Sequence, residues 1–152
     1  MSREAAARFR PRRWIEWRGP LPVAMDVRDA VEADAERLAA LTDSPEDVMR
    51  NLVHDRTVRV AVADEEIRGF VSYDARADTV HVTQLGGDPE TYDRLLAEPI
   101  SFARTEGMAV ELLAPESETA LVAAVEAAGF AERGQGPRFE GEPTARYRLE
   151  EP

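Results

Sequence analysis

The stretch Thr79-Val80-His81-Val82-Thr83-Gln84-Leu85-Gly86-Gly87-Asp88-Pro89-Glu90-Thr91 passes from a strand directly into a helix. Val80 and Val82 alternate with His81 and Thr83, the period of a strand with one buried face. Gly86-Gly87 interrupts that alternation. Asp88, Pro89 and Thr91 then supply a helix N-terminal signal, a carboxylate cap followed by a first-turn proline. Leu95, Leu96, Ile100 and Phe102 provide the apolar positions of the helix to about Thr105, and Glu106-Gly107 ends it.

Upstream of this junction, Asp26 to Val31 reads as a first strand and Asp34 to Leu41 as a helix with Leu38 and Leu41 turned inward. Ser44, Pro45 and Asp47 mark the start of a second helix, with Val48 and Leu52 on its inner face. Val58, Val60 and Val62 alternate through the next strand, Thr57 to Ala63. The charged turn Asp64-Glu65-Glu66 predicts a hairpin into a strand through Ile67, Phe70 and Tyr73, and a turn from Asp74 to Asp78 leads to the fourth strand.

Downstream, Met108, Val110 and Leu112 alternate as a fifth strand. Pro115 opens a helix with Leu121, Val122, Val125 and Ala128 on its inner stripe, stopped by Gly129. Phe130 to Arg133 begins another strand; a loop from Gly134 to Thr144 leads to the last, where Ala145, Tyr147 and Leu149 share a face. The order predicts a mixed α/β fold: a central, mostly antiparallel twisted sheet of seven strands with four helices.

A chain of 152 residues suffices for one domain with a real core. It contains no cysteine, which excludes disulfides, thiolate metal sites and a cysteine nucleophile. It has no apolar run long enough to span a bilayer and no apolar leader, so the expected location is the cytoplasm. Thirty acidic residues face nineteen basic ones, and every basic residue is arginine. Such a balance marks a generally solvated acidic surface or one adapted to high salt, and the scatter of the acids favours the second, where the screening length falls to about 3 Å at 1 M. The same charge disfavours nucleic acid as a partner of the main body.

Residues 1 to 24 stand apart from the domain at 25 to 152, with Arg3, Arg8, Arg10, Arg12, Arg13 and Arg18 opposing only Glu4 and Glu16. Trp14 and Trp17 lie here, while Pro11, Pro20 and Pro22 forbid a continuous membrane-lying helix. Three readings stand open: an arm for nucleic acid or a second subunit, a segment folding back on the acidic body, or a leader absent from a chain starting at Met25.

The element order from Met25 to Glu150, with Ala127-Ala128-Gly129-Phe130 where a last helix enters the sixth strand, resembles the GCN5-related N-acetyltransferase (GNAT) superfamily. The resemblance implies transfer of an acetyl or other acyl group from acetyl-CoA to a small-molecule or peptide amine, without a metal. It implies that main-chain groups of Val82, Thr83, Gln84, Leu85 and Gly86 hold the pantetheine arm. The amides from Gly86 and Gly87 to Thr91, with Arg94 nearby, would meet the pyrophosphate. It also implies a slot where the fourth and fifth strands splay, so an interrupted ladder there favours the enzyme.

Two positions depart from the family pattern. The pyrophosphate motif is Gln or Arg, two residues, Gly, one residue, then Gly or Ala, whereas Gln84, Gly86 and Gly87 fall at other spacings. A cap at Asp88 is worth about 1 kcal/mol and occupies a donor. A phosphate about 5 Å from a carboxylate there meets about 3 kcal/mol of repulsion at an effective dielectric near 20. The tyrosine that commonly protonates the leaving thiolate is replaced by Val125, and the Asn seven residues earlier by Glu118.

His81 is the expected base, an imidazole whose ordinary pKa of about 6.5 suits proton removal near neutrality. Tyr73 or Tyr147 is the expected acid, and Glu111 a second base or an amine-binding carboxylate. His54 is expected to meet its own helix's terminal carbonyls, and Arg138 and Phe139 to shape an acceptor pocket. A carboxylate-lined cleft would favour amines. The competing reading is a GNAT-fold binding or protein-interaction module without catalysis, and a homodimer is compatible with both.

Overall fold

The computed structural model describes residues 25 to 138 and 141 to 152. The readings of the arm, residues 1 to 24, and of Phe139 fall outside the described residues. The strands are β1 (Asp26–Asp29), β2 (Thr57–Ala63), β3 (Glu66–Arg76), β4 (Thr79–Gly87), β5 (Ala109–Pro115), β6 (Ala131–Gln135) and β7 (Thr144–Leu149). The helices are α1 (Ala35–Thr42), α2 (Glu46–Asp55), α3 (Tyr92–Glu106) and α4 (Thr119–Ala127). The seven strands form one sheet in the order β1-β2-β3-β4-β5-β7-β6, in which β4–β5 is parallel and the other neighbours antiparallel.

Local chemistry sets the hairpins. Asp64 and Glu65 both take left-handed φ, 54° and 63°, as a two-residue turn between right-twisted strands requires, and Glu66 already pairs with Ala63. The following strand outlasts the turn expected from Asp74, because Asp74 pairs with His81 and Arg76 with Thr79. The actual reversal is at Ala77, with φ 56°. Gly107, at φ 71°, caps α3 in the left-handed conformation.

Each face of the sheet has its own core. Val71, Tyr73, Val80, Val82, Val110, Leu112 and Tyr147 pack with Leu95 and Leu96 of α3 and Leu121 and Val125 of α4. On the opposite face Val58, Val60, Ile67 and Phe70 pack with Leu38 of α1 and Met49 of α2. Burying Phe70 completely contributes about 2–3 kcal/mol.

Four details differ from the sequence reading. Met49 is 2% exposed and Val48 49%, so the inner face of α2 runs through Met49, Leu52 and Val53. Pro45 is extended and itself the N-cap, and Ser44 makes no capping bond to the helix. Pro115 is the end of β5, and α4 begins at Thr119. Phe102 is exposed, its ring centroid 6.1 Å from that of Tyr73.

Candidate functional site

The parallel ladder between β4 and β5 runs from Thr79↔Ala109 to Val82↔Leu112 and stops. The cause lies in β4 itself. Ser72 pairs with Gln84 and Tyr73 with Val82, leaving Thr83 as an extra, bulged residue. Its Oγ1 lies 2.6 Å from Ser72 Oγ. A bulge bends its strand and increases the local twist, so β4 turns away while β5 stays paired to β7 as far as Pro115↔Thr144.

The wedge between the two strands opens a cavity of about 530 Å³. Thr83, Gln84 and Leu85 form one wall, Leu113 and Pro115 the other, and Glu118, Leu121, Pro137 and Arg138 close it around. A second cavity of about 510 Å³ shares Thr83, Leu113 and Pro137 with the first and adds Arg76, His81, Glu111 and Arg146. The two cavities therefore adjoin at these residues.

His81 stands on the sheet face opposite Val80 and Val82, with Nδ1 4.0 Å from Glu111 Oε1. Glu111 Oε2 accepts from Arg146 Nη1 at 3.1 Å and Arg148 Nη1 at 3.3 Å. Two guanidinium donors hold the Glu111 carboxylate in place on this wall. Arg148 is held above the ordinary guanidinium pKa, first by its bond to Glu150 and then by Glu111. Among the described residues this second cavity is bordered by Arg76, Arg146 and the engaged carboxylate of Glu111.

The expected acids lie elsewhere. Tyr73 and Tyr147 are each 3% exposed, within the core beneath α3 and α4, on the face away from His81. Burial pushes the Tyr73 hydroxyl up in pKa, against the opposing pull of its bond to Arg59. Burial likewise raises Tyr147, with Glu126, Glu132 and Glu116 adding to it. Val125 is fully buried in the same core. His54 Nε2 lies 2.8 Å from Glu32 Oε2, an exposed pair in place of the expected helix carbonyls.

At the start of α3 the amides are already engaged. Asp88 N donates to Arg68 O at 2.8 Å, Glu90 N to Asp88 Oδ1 at 3.0 Å, and Thr91 N to Asp88 O at 2.9 Å. Pro89 has no N–H, and Tyr92 N donates to Pro89 O. Thr91 Oγ1 is bonded to Asp88 O at 2.6 Å and buried, and Arg94 Nη1 reaches Met25 O at 3.1 Å. Sequence reasoning passed over Tyr92, whose hydroxyl donates to Gly87 O at 3.4 Å. Burial raises its pKa, and Glu118 and Asp88 raise it further. Its place in the first helical turn gave no signal apart from polar N-terminal sequence.

No family model and no curated protein matches the sequence of this chain. Solved structures do match its fold. YncA of Salmonella typhimurium, solved with its cofactor acetyl-CoA, superposes with a TM-score of 0.71 at 18% identity, over 85% of this chain and 95% of that one. A ribosomal-protein-alanine N-acetyltransferase from Brucella melitensis gives 0.68 at 18% identity, over 82% and 98%. A variant of the SpeG spermidine N-acetyltransferase from Vibrio cholerae gives 0.67 at 15% identity, over 84% and 94%. This is the GNAT fold.

Set against the acetyl-CoA with which YncA was solved, the residues of this chain divide on whether such a ligand fits. The unpaired wedge between β4 and β5, apolar at Leu85, Leu113 and Leu121, fits a pantetheine arm. The start of α3 does not fit a pyrophosphate, since each amide from Asp88 to Tyr92 is bonded or absent. Among the described residues no cluster of three or more metal-binding side chains occurs, and no helix is long and apolar enough to cross a membrane.

Proposed function

We propose that this protein is an N-acetyltransferase that moves an acyl group from a pantetheine thioester to a primary amine, with His81 as the base. The observation that carries this reading is that the β4–β5 wedge adjoins the cavity holding His81: the two share Thr83, Leu113 and Pro137. A thioester seated in the wedge and an amine in front of the imidazole meet there, and holding two reactants in register supplies much of the rate.

In the overall transfer the amine nitrogen bonds to the thioester's acyl carbon, the carbon–sulfur bond breaks, and the products are an amide, a thiol and one proton. His81 accepts a proton from the ammonium, which frees the nitrogen lone pair. Glu111, fixed by Arg146 and Arg148, gives the imidazolium a nearby negative charge. With Tyr73 and Tyr147 buried on the other face, the thiolate takes its proton from solvent. The expected substrates are small-molecule or peptide amines.

The test is thiol release from acetyl-CoA and from acetyl-pantetheine across a panel of primary amines and peptides. Amine-dependent release that falls in His81→Gln supports the proposal. Absence of amine-dependent release from both donors with every amine tried overturns it, and turns the engaged start of α3 into support for a non-catalytic interaction module on the GNAT fold.

A further inference from the structure

The two ends of the donor path make opposite demands on a ligand. In the wedge, β4 beyond Val82 and β5 beyond Leu112 lie side by side without a ladder, so this stretch is open to a narrow chain bearing amide groups. At the start of α3, strand passes into helix through one residue, Asp88, between Gly87 and Pro89. Gly87 closes the gap behind it, because a Cβ there would lie 2.5 Å from Arg68 O and Gly69 Cα.

Among the described residues, the junction from Asp88 to Tyr92 leaves no free amide to receive a diphosphate. The amides of Asp88, Glu90, Thr91 and Tyr92 are bonded within the turn or to β3. Asp88, Glu90 and Asp93 place three carboxylates in the first turns. Among the described residues the nearby cations face other groups: Arg68 lies 3.5 Å from Glu66 and 3.8 Å from Asp64, its buried Nε without a hydrogen bond, and Arg94 Nη1 is bonded to Met25 O.

We infer that the donor is recognised through its acyl-pantetheine arm alone, and that the nucleotide diphosphate of coenzyme A adds no affinity. This rests on the proposed acyl transfer at the wedge. The ligand class is a pantetheine thioester, whether free, on coenzyme A or on a carrier protein.

Calorimetric titration of the full chain with coenzyme A, pantetheine and adenosine 3′,5′-bisphosphate tests it. Dissociation constants for coenzyme A and pantetheine within tenfold of each other, with no displacement of either by the bisphosphate, are expected. Coenzyme A binding more than tenfold tighter, or displacement by the bisphosphate, overturns the inference and leaves the acyl-transfer reading standing. Binding of neither thiol overturns both. Leu113→Trp, at a half-exposed wall residue of the wedge, is expected to weaken both thiols by the same factor; a loss confined to coenzyme A overturns the inference. A pantetheinylated carrier protein titrated alongside separates the sources. Tighter binding than pantetheine points to the carrier, and equal or weaker binding to a free thioester; both keep the arm as the recognised element.

Discussion

Gly87→Ala is expected to unfold this protein far more readily than another left-handed glycine changed in the same way. The native φ of +103° is strained for any side chain, at about 1–3 kcal/mol. The new methyl would also lie 2.5 Å from two backbone atoms of β3, Arg68 O and Gly69 Cα, which the ladder prevents from yielding. Overpacking of this kind costs a further ~1–3 kcal/mol, so the total is about 4 kcal/mol, a large part of a typical 5–15 kcal/mol stability. Gly107→Ala is the control, because its φ is +71° and nothing lies within 4 Å of the added carbon. It is expected to cost about 1 kcal/mol. Equilibrium urea unfolding followed by circular dichroism reads the difference: with a slope of about 2 kcal/mol per molar, the midpoints fall by about 2 M and about 0.5 M. Equal midpoints for the two variants would refute the closed strand-to-helix junction.

Other perturbations reach other parts of the argument. His81→Gln is expected to lower turnover about 10²–10⁴-fold while donor affinity stays within twofold, measured by thiol release and calorimetry; unchanged turnover removes the imidazole from the reaction. Asp88→Ala removes the side-chain acceptor of Glu90 N, and differential scanning calorimetry is expected to find a loss of about 1 kcal/mol, or about 2–4 °C. Asp34 is held below the ordinary carboxylate pKa, first by its bond to Arg28 and also by Val31 N, against the opposing effect of burial. Its depressed folded pKa means a stabilising contribution present above the unfolded value of about 3.9 and lost as pH falls through the folded one. Asp34→Asn is therefore expected to be less stable than the native chain at pH 7, with the gap closing progressively below about pH 4; a gap that persists at pH 2 would contradict the assignment.

Sequence periodicity located the elements wherever the signal was local. Asp88 and Pro89 start a helical turn, Gly107 and Gly129 end helices, and the alternating valines of β2 and β4 lie in strands. It failed where packing chose between adjacent candidates. Val48 and Met49 differ by one residue, about 100° around a helix, and only contact with Val60 and Phe70 decides which turns inward. At the site, His81 and Glu111 were both visible as candidates, and the β4–β5 register sets them opposite each other. The two arginines that hold Glu111 come from β7, thirty-five and thirty-seven residues later, and no local pattern announces that pairing. The bulge at Thr83 was equally hidden, since its cause is a mismatch with β3 that neither strand reveals alone.

The absence of lysine bears on the cavity as well as on the surface. Arg76 and Arg146 border the space in which a thioester and an amine would meet, and a guanidinium stays protonated and non-nucleophilic across the physiological range. A lysine in either place would present a competing primary amine to the activated acyl carbon. With arginine as their basic residue, the walls could carry positive charge beside a thioester without becoming acylated themselves, and in the proposed reaction the acyl group would remain for the amine that enters from outside.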